Sequence, residues 1–81
     1  MEKRIGAVII LVKDKQYIPQ INQLLSRHSE IIQGRLGIPF KEENISVISI
    51  VLNGTTDEVG ALTGQIGKLK GVQVKSALIK S

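Results

Sequence analysis

Residues 45–58 of the chain read Ile45-Ser46-Val47-Ile48-Ser49-Ile50-Val51-Leu52-Asn53-Gly54-Thr55-Thr56-Asp57-Glu58. The first eight residues place aliphatic side chains on both faces of an extended strand. Asn53-Gly54 is typical of a turn, and Thr55 followed three residues later by Glu58 is the pattern of a helix capping box. The segment therefore predicts a strand that is apolar on both faces and leads through a turn into a helix.

The helix that begins at Thr55 has one apolar stripe and a clear end. The stripe consists of Val59, Leu62, Ile66 and Leu69. Lys68 and Lys70 are predicted to lie in the last helical turn, where positive charge suits the helix dipole. Gly71 is placed to cap the C-terminus, and residues 72–79 predict a final strand with weaker alternation.

The first half of the chain predicts a strand, a helix and a second strand. Residues 5–12 form an unbroken apolar run with strong strand formers, so both faces of this strand are apolar. Apolar residues recur at helical spacing through residues 18–28. Residues 31–38 predict a second strand that Pro39 ends, followed by a charged loop over residues 40–44.

The order of the elements is βαββαβ, which predicts an α+β, ferredoxin-like fold as a single domain over residues 1–81. Right-handed crossovers place both helices on the same face of a four-stranded antiparallel sheet. The first and third strands are the richest in aliphatic residues, and this topology puts them at the centre, with the second and fourth strands at the edges.

The composition excludes several classes of protein. The chain has no cysteine, which excludes disulfides, thiolate catalysis and cysteine-bound metals. No apolar run approaches the roughly 20 residues of a membrane span, and a cytoplasmic location is expected. The net charge of +4 comes from lysines spread along the chain. Since Tyr17 and Phe40 are predicted to lie outside the strands that would carry stacking platforms, direct nucleic-acid binding is not expected.

Two features predict a homo-oligomer, either a dimer or a tetramer. Because the helices cover only one face of the sheet, aliphatic residues on the other face would form an exposed patch that a second copy would cover. The second feature is a stripe of glycines, Gly60, Gly64 and Gly67, on the second helix away from its core stripe. Each glycine costs about 1 kcal/mol relative to alanine. This cost favours close approach of another backbone or a ligand; drift or a shorter helix is the alternative.

The sequence contains no recognisable catalytic site. His28, the single histidine, has no nucleophile and carboxylate in the pattern of a triad. We expect it to be partly buried and bonded to a backbone carbonyl, with contact to an effector or a metal as the alternative. No metal-ligand spacing is present, so no metal or cofactor is expected. Arg35 could bind a carboxylate or a phosphate, or it could be a charge that protects an edge strand from aggregation.

Two segments carry a resemblance to a known family. They are Arg35-Leu36-Gly37-Ile38-Pro39-Phe40-Lys41-Glu42-Glu43-Asn44 and Gly60-Ala61-Leu62-Thr63-Gly64-Gln65-Ile66-Gly67-Lys68-Leu69-Lys70-Gly71-Val72. With the aliphatic strand between them, they resemble the family of iron-only hydrogenase system regulators over nearly the whole chain. The resemblance implies a free-standing ACT-like domain with a regulatory function.

The second half is also similar to the regulatory domain of nickel-responsive repressors, which is ACT-like and tetrameric. In that family a histidine near the end of the first helix, two histidines in and after the second strand, and a cysteine opening the third strand bind nickel. The first of these falls at or beside His28, whereas the others fall on Ile38, Phe40 and Ser46. Nickel sensing of that type is therefore not expected, and the DNA-binding segment of those repressors is absent from the sequence.

Together these features predict a non-enzymatic regulatory module that binds a small effector at a homo-oligomer interface and passes the change to a partner protein. The predicted effector-binding residues are His28, Arg35, Gly37 and Asn44, and the predicted close-approach residues are Gly60, Gly64 and Gly67. One alternative is an effector-free scaffold or assembly factor. Another is a small phosphatase-like enzyme using Arg35 and an asparagine, but the loop that would position its nucleophile is not visible.

Overall fold

The computed structural model describes residues 2–80 and contains four strands and two α-helices. In chain order the elements are β1 (Arg4–Val12), α1 (Ile18–Arg27), β2 (Ile32–Phe40), β3 (Ile45–Gly54), α2 (Thr56–Gly67) and β4 (Val72–Ile79). The strands form one antiparallel sheet in the order β2-β3-β1-β4. The predicted ferredoxin-like βαββαβ fold is confirmed, with β1 and β3 at the centre of the sheet.

The core lies between one face of the sheet and the two helices. The fully buried side chains are Val8, Ile10, Val12, Ile21, Leu25, Ile50, Leu52, Leu62 and Ile66. Residues paired directly across neighbouring strands share a face, as Val8 and Ile50 do. Even-numbered residues of β1 and β3 therefore face the helices, and odd-numbered residues face the other side. No helix within residues 2–80 is long and apolar enough to span a membrane.

The capping box of α2 forms as predicted. The Thr55 hydroxyl accepts a hydrogen bond from the Glu58 N–H at 3.1 Å, and Oε1 of Glu58 accepts one from the Thr55 N–H at 2.8 Å. The bond from the Thr55 backbone, followed by the Thr55 side chain, lowers the pKa of Glu58 below its ordinary value because both favour the carboxylate. These reciprocal bonds fix where α2 begins, which in turn sets its position over the sheet.

The end of α2 differs from the prediction. The helix ends at Gly67, so Lys68 is its C-terminal cap and Lys70 lies beyond its last turn. Gly71 adopts a left-handed φ of 73° in the turn before β4, a conformation that glycine reaches without steric cost. A glycine therefore follows the helix as predicted, but Gly71 lies in the turn before β4 and is not the C-terminal cap of α2.

The prediction that Pro39 ends the second strand is wrong. β2 runs through Pro39 to Phe40, which pairs with Ile45 of β3. Because β2 is an edge strand, one of its sides needs no ladder hydrogen bond, and a residue without an N–H is tolerated there. Phe40, predicted to lie outside the strands, is therefore part of the sheet.

Candidate functional site

The sheet face opposite the helices carries an apolar surface, which we call the open face. Seven large hydrophobic side chains within residues 2–80 are exposed, and the strand register places all of them on this face. They are Ile5, Ile9, Leu36, Ile38, Phe40, Val51 and Ile79. Their exposed fractions run from 41% for Phe40 to 67% for Ile79. The prediction that β1 and β3 are apolar on both faces is confirmed.

Arg35 lies at the β2 edge of the sheet on the face that the helices cover. Its Nη2 donates a hydrogen bond to Oδ1 of Asn22 on α1 at 2.7 Å. Both residues line a cleft of about 230 Å³ between α1 and β2, with Ser46 contributing a hydroxyl and Ile18 an apolar wall. A guanidinium has five N–H donors in a planar fork, and the bond to Asn22 uses one of them. The cleft can therefore hold a carboxylate or a phosphate.

Gly37 lies in the same cleft as Arg35, two residues further along β2. A Cβ built on Gly37 would meet no atom within 4 Å, so nothing within the chain requires glycine at this position. Asn22, the partner of Arg35, was not among the predicted site residues. Its only signal in the sequence is its place beside the core stripe of α1, four residues after Ile18 and three before Leu25.

His28 lies in a different cleft from Arg35. It caps the C-terminus of α1 and is half-buried, with Nε2 at 3.0 Å from Oε1 of Gln65 on α2. Its partner is thus a side-chain amide, not the backbone carbonyl that we expected. The cleft around it has a volume of about 360 Å³ and also contains Glu30 and Asp57. Within residues 2–80, no group of three or more potential metal-ligating side chains is arranged to hold an ion.

Asn44 lies in the turn between β2 and β3, where it adopts a left-handed φ of 56°. Its N–H donates to the carbonyl oxygen of Lys41 at 3.3 Å, and asparagine is one of the few residues that tolerate this conformation. The visible role of Asn44 is therefore to shape the turn. Of the four predicted effector residues, the structure brings Arg35 and Gly37 together and places His28 and Asn44 elsewhere; effector contact by any of them stays a prediction.

The glycine stripe of α2 is exposed and faces a groove beside β4. Gly60, Gly64 and Gly67 line this groove, which has a volume of about 640 Å³, together with residues 72–76. A Cβ on any of the three glycines would meet no atom within 4 Å. Packing within the chain therefore does not explain the stripe, and its role in close approach of another chain or a ligand stays a prediction.

The fold recurs in solved structures with little sequence similarity. The C-terminal domain of the MgtC protein from Mycobacterium tuberculosis has a TM-score of 0.69 at 14% identity, covering 94% of this chain and 87% of that one. The apo form of CPII, a nitrogen regulatory PII-like protein from Thiomonas intermedia K12, has a TM-score of 0.52 at 17% identity, covering 95% and 91%. These likenesses concern the fold alone.

Two closer similarities concern the family. The TM1266-like family model, described as "Iron-only hydrogenase system regulator, putative", matches residues 4–76. The structure of the uncharacterized protein TM1266 from Thermotoga maritima is similar with a TM-score of 0.91 and 40% identity, covering 98% of this chain and 100% of that one. No curated protein matches this chain. The family model and the full-length similarity agree with the resemblance seen in the sequence, and the chain belongs to the TM1266-like family.

Proposed function

We propose that this chain is a cytoplasmic, non-enzymatic regulatory module that forms a homo-oligomer through its open face and binds a small anionic effector at the edge of that interface. The observation that carries the proposal is the placement of all seven exposed large hydrophobic side chains on one face of the sheet. Soluble monomers rarely expose a contiguous apolar patch of this kind. A second copy presents the same surface and covers it symmetrically.

The apolar area is sufficient for a dimer. Complete burial of an aliphatic or aromatic side chain contributes about 1.5–3 kcal/mol. The side chains of the open face are roughly half exposed, so covering them contributes about 1 kcal/mol each. Two subunits together supply about 14 kcal/mol by this measure, against an association cost of about 4–15 kcal/mol. The gain from covering the open face therefore exceeds the association cost over most of the range given for that cost, and the face can support a dimer.

The cleft at Arg35 is the proposed effector site. The guanidinium recognises the anionic group of the effector in a bidentate manner, and Asn22 holds it in position through the 2.7 Å hydrogen bond. Ile38 and Val47 also line this cleft, but the strand register places their side chains on the open face. The cleft and the proposed interface therefore lie on opposite faces of β2 and β3, and effector binding and assembly influence each other through these two strands.

Native mass spectrometry of the gently purified protein tests both parts of the proposal. We expect a dimer or a tetramer that carries a stoichiometric additional mass. Arg35→Gln should keep the subunit number and lose the bound mass, because it removes the charge without touching the open face. Val51→Glu should give a folded monomer, because it places a charge within the proposed interface. Lys41→Glu, an exposed charge change in the turn between β2 and β3, is the control and should alter neither property.

The same measurements of subunit number and bound mass distinguish this proposal from its alternative, an effector-free scaffold. The alternative is favoured by the open face itself, because an apolar surface needs a protein cover whether or not an effector binds. An oligomer without bound mass, and without a thermal shift in the presence of small carboxylates or phosphates, would support the scaffold. A wild-type protein that is monomeric at micromolar concentration would contradict both.

A further inference from the structure

Within residues 2–80, β4 is an edge strand whose one neighbour in the sheet is β1. Its outer side presents backbone N–H and C=O groups that can pair with an added extended chain. The groove of about 640 Å³ runs along this edge between β4 and α2. Its helix side is formed by the glycine stripe, so an approaching chain meets backbone rather than side chains there. The edge is therefore accessible over the length of the groove.

The excess positive charge of the chain lies in its last third, which contains β4. Residues 59–80 contain four lysines and no acidic residue, whereas residues 1–58 contain equal numbers of acidic and basic residues. The four lysines, Lys68, Lys70, Lys75 and Lys80, are exposed. Lys68 lines the cleft between α1 and α2, whereas Lys75 lies on β4 itself, where its pairing with Ile9 places its side chain on the sheet face opposite the helices. Four of the eight lysines of the chain thus lie in β4 or within four residues of its ends. Charge complementarity requires an acidic occupant.

A second copy of β4 does not suit this edge. When β4 pairs with its own copy about a two-fold axis over most of its length, the two Lys75 side chains lie opposite or diagonal to each other on the same sheet face. Like charges placed across neighbouring strands are destabilising. The assembly would also bring together two strands that carry lysines and no acidic residue, so a chain of different composition fits the edge better.

We propose that the free edge of β4 docks an extended, acidic segment of a partner protein as a fifth strand. The backbone hydrogen bonds hold the segment, and the lysines select its charge. This site is distinct from the Arg35 cleft, and it borders the open face, where Lys75 lies beside Ile9. The inference therefore goes beyond the proposed function, and docking at β4 can be measured whether or not an effector is found.

The test is a selection of short random peptides displayed on phage against the immobilised wild-type protein, followed by fluorescence anisotropy with the selected peptides. We expect peptides of net negative charge. Gly64→Leu fills the groove and Lys75→Glu reverses a charge on the edge strand itself, and each should weaken binding at least about tenfold. Lys41→Glu makes the same charge change in the distant β2–β3 turn and should alter affinity less than about twofold. Circular dichroism verifies that each variant is folded.

A second measurement separates strand addition from charge attraction alone. Methylating alternate backbone amides of a selected peptide on its edge-facing side should abolish binding, since it removes the strand-to-strand hydrogen bonds. The proposal is overturned if no peptide is enriched, if the enriched peptides are not acidic, if the two groove variants bind as tightly as wild type, or if methylation has no effect. It is also overturned if single-stranded DNA binds through Lys75 more tightly than any peptide.

Discussion

Val8 and Val51 provide a matched pair of valines that distinguishes a covered open face from an uncovered one. They lie on neighbouring central strands and face opposite sides of the sheet. Val8 is 0% exposed and Val51 is 49% exposed in the single chain. Valine to threonine keeps the β-branched shape, and therefore the strand preference, while it replaces a methyl group with a hydroxyl. The two substitutions thus differ only in what surrounds the hydroxyl.

The expected magnitudes follow from burial. Val8→Thr places a hydroxyl in the core and should lower the free energy of unfolding by about 1–3 kcal/mol at every protein concentration. Val51→Thr should cost less than about 0.5 kcal/mol if the open face is in water. If a second copy covers the face, Val51→Thr should approach the cost of Val8→Thr, because its hydroxyl is then also removed from water.

Urea unfolding followed by circular dichroism is the assay, repeated over about a hundredfold range of protein concentration. For a dimer that dissociates on unfolding, stability rises by about 1.4 kcal/mol for each tenfold increase in concentration. We expect this dependence in the wild type and in Val8→Thr, and a reduced midpoint in Val51→Thr that higher concentration partly restores. A midpoint independent of concentration, together with a neutral Val51→Thr, would refute the assembly through the open face.

Two further predictions concern the fold. Gly6→Ala should lower the free energy of unfolding by about 1–3 kcal/mol, because a Cβ there would lie 2.7 Å from the carbonyl oxygen of Ala77 on β4; thermal unfolding measures this, and a neutral effect would mean that β4 moves freely away from β1. Glu58→Gln should flatten the decline of stability on acidification. The folded state lowers the pKa of Glu58 from 4.5. The contribution of Glu58 to the free energy of unfolding is therefore complete above pH 4.5 and is lost as the pH falls through the folded pKa. An unchanged pH profile of urea midpoints in the variant would contradict this role.

The fold could be predicted because its determinants are local. The two-sided strands, the capping box at Thr55 and the glycine at residue 71 each act within a few residues of sequence. The errors have a common physical reason. Pro39 predicts a strand end because proline lacks an N–H, but whether that N–H is needed depends on the neighbouring strand. Whether a strand lies at the edge depends on the order of all strands in the sheet, and the sequence around residue 39 does not reveal it.

The candidate site was less predictable because it depends on contacts between elements. Arg35 could be recognised as an anion-binding side chain, but its partner Asn22 lies thirteen residues away on α1. His28 and Asn44 were grouped with Arg35 from residue type and resemblance, whereas the structure gives them separate surroundings. The signal that the sequence did contain was the two-sided apolar pattern of β1 and β3, because strand periodicity directly specifies which side chains share a face.

The three surfaces have different physical relations to assembly, and this restricts how regulation can work. An effector shifts an equilibrium only by its difference in affinity between two states. The Arg35 cleft lies on the helix-covered face of β2 and β3, and the open face lies on the other side of the same strands, so an effector there can favour or oppose assembly through these two strands. β4 lies on the other side of β1, and it contributes Ile79 to the open face. Since neighbouring strands share a backbone ladder, assembly that stiffens β1 and β3 also reduces the entropy cost of adding a strand at β4. Assembly is therefore the step through which effector binding can reach the docking edge.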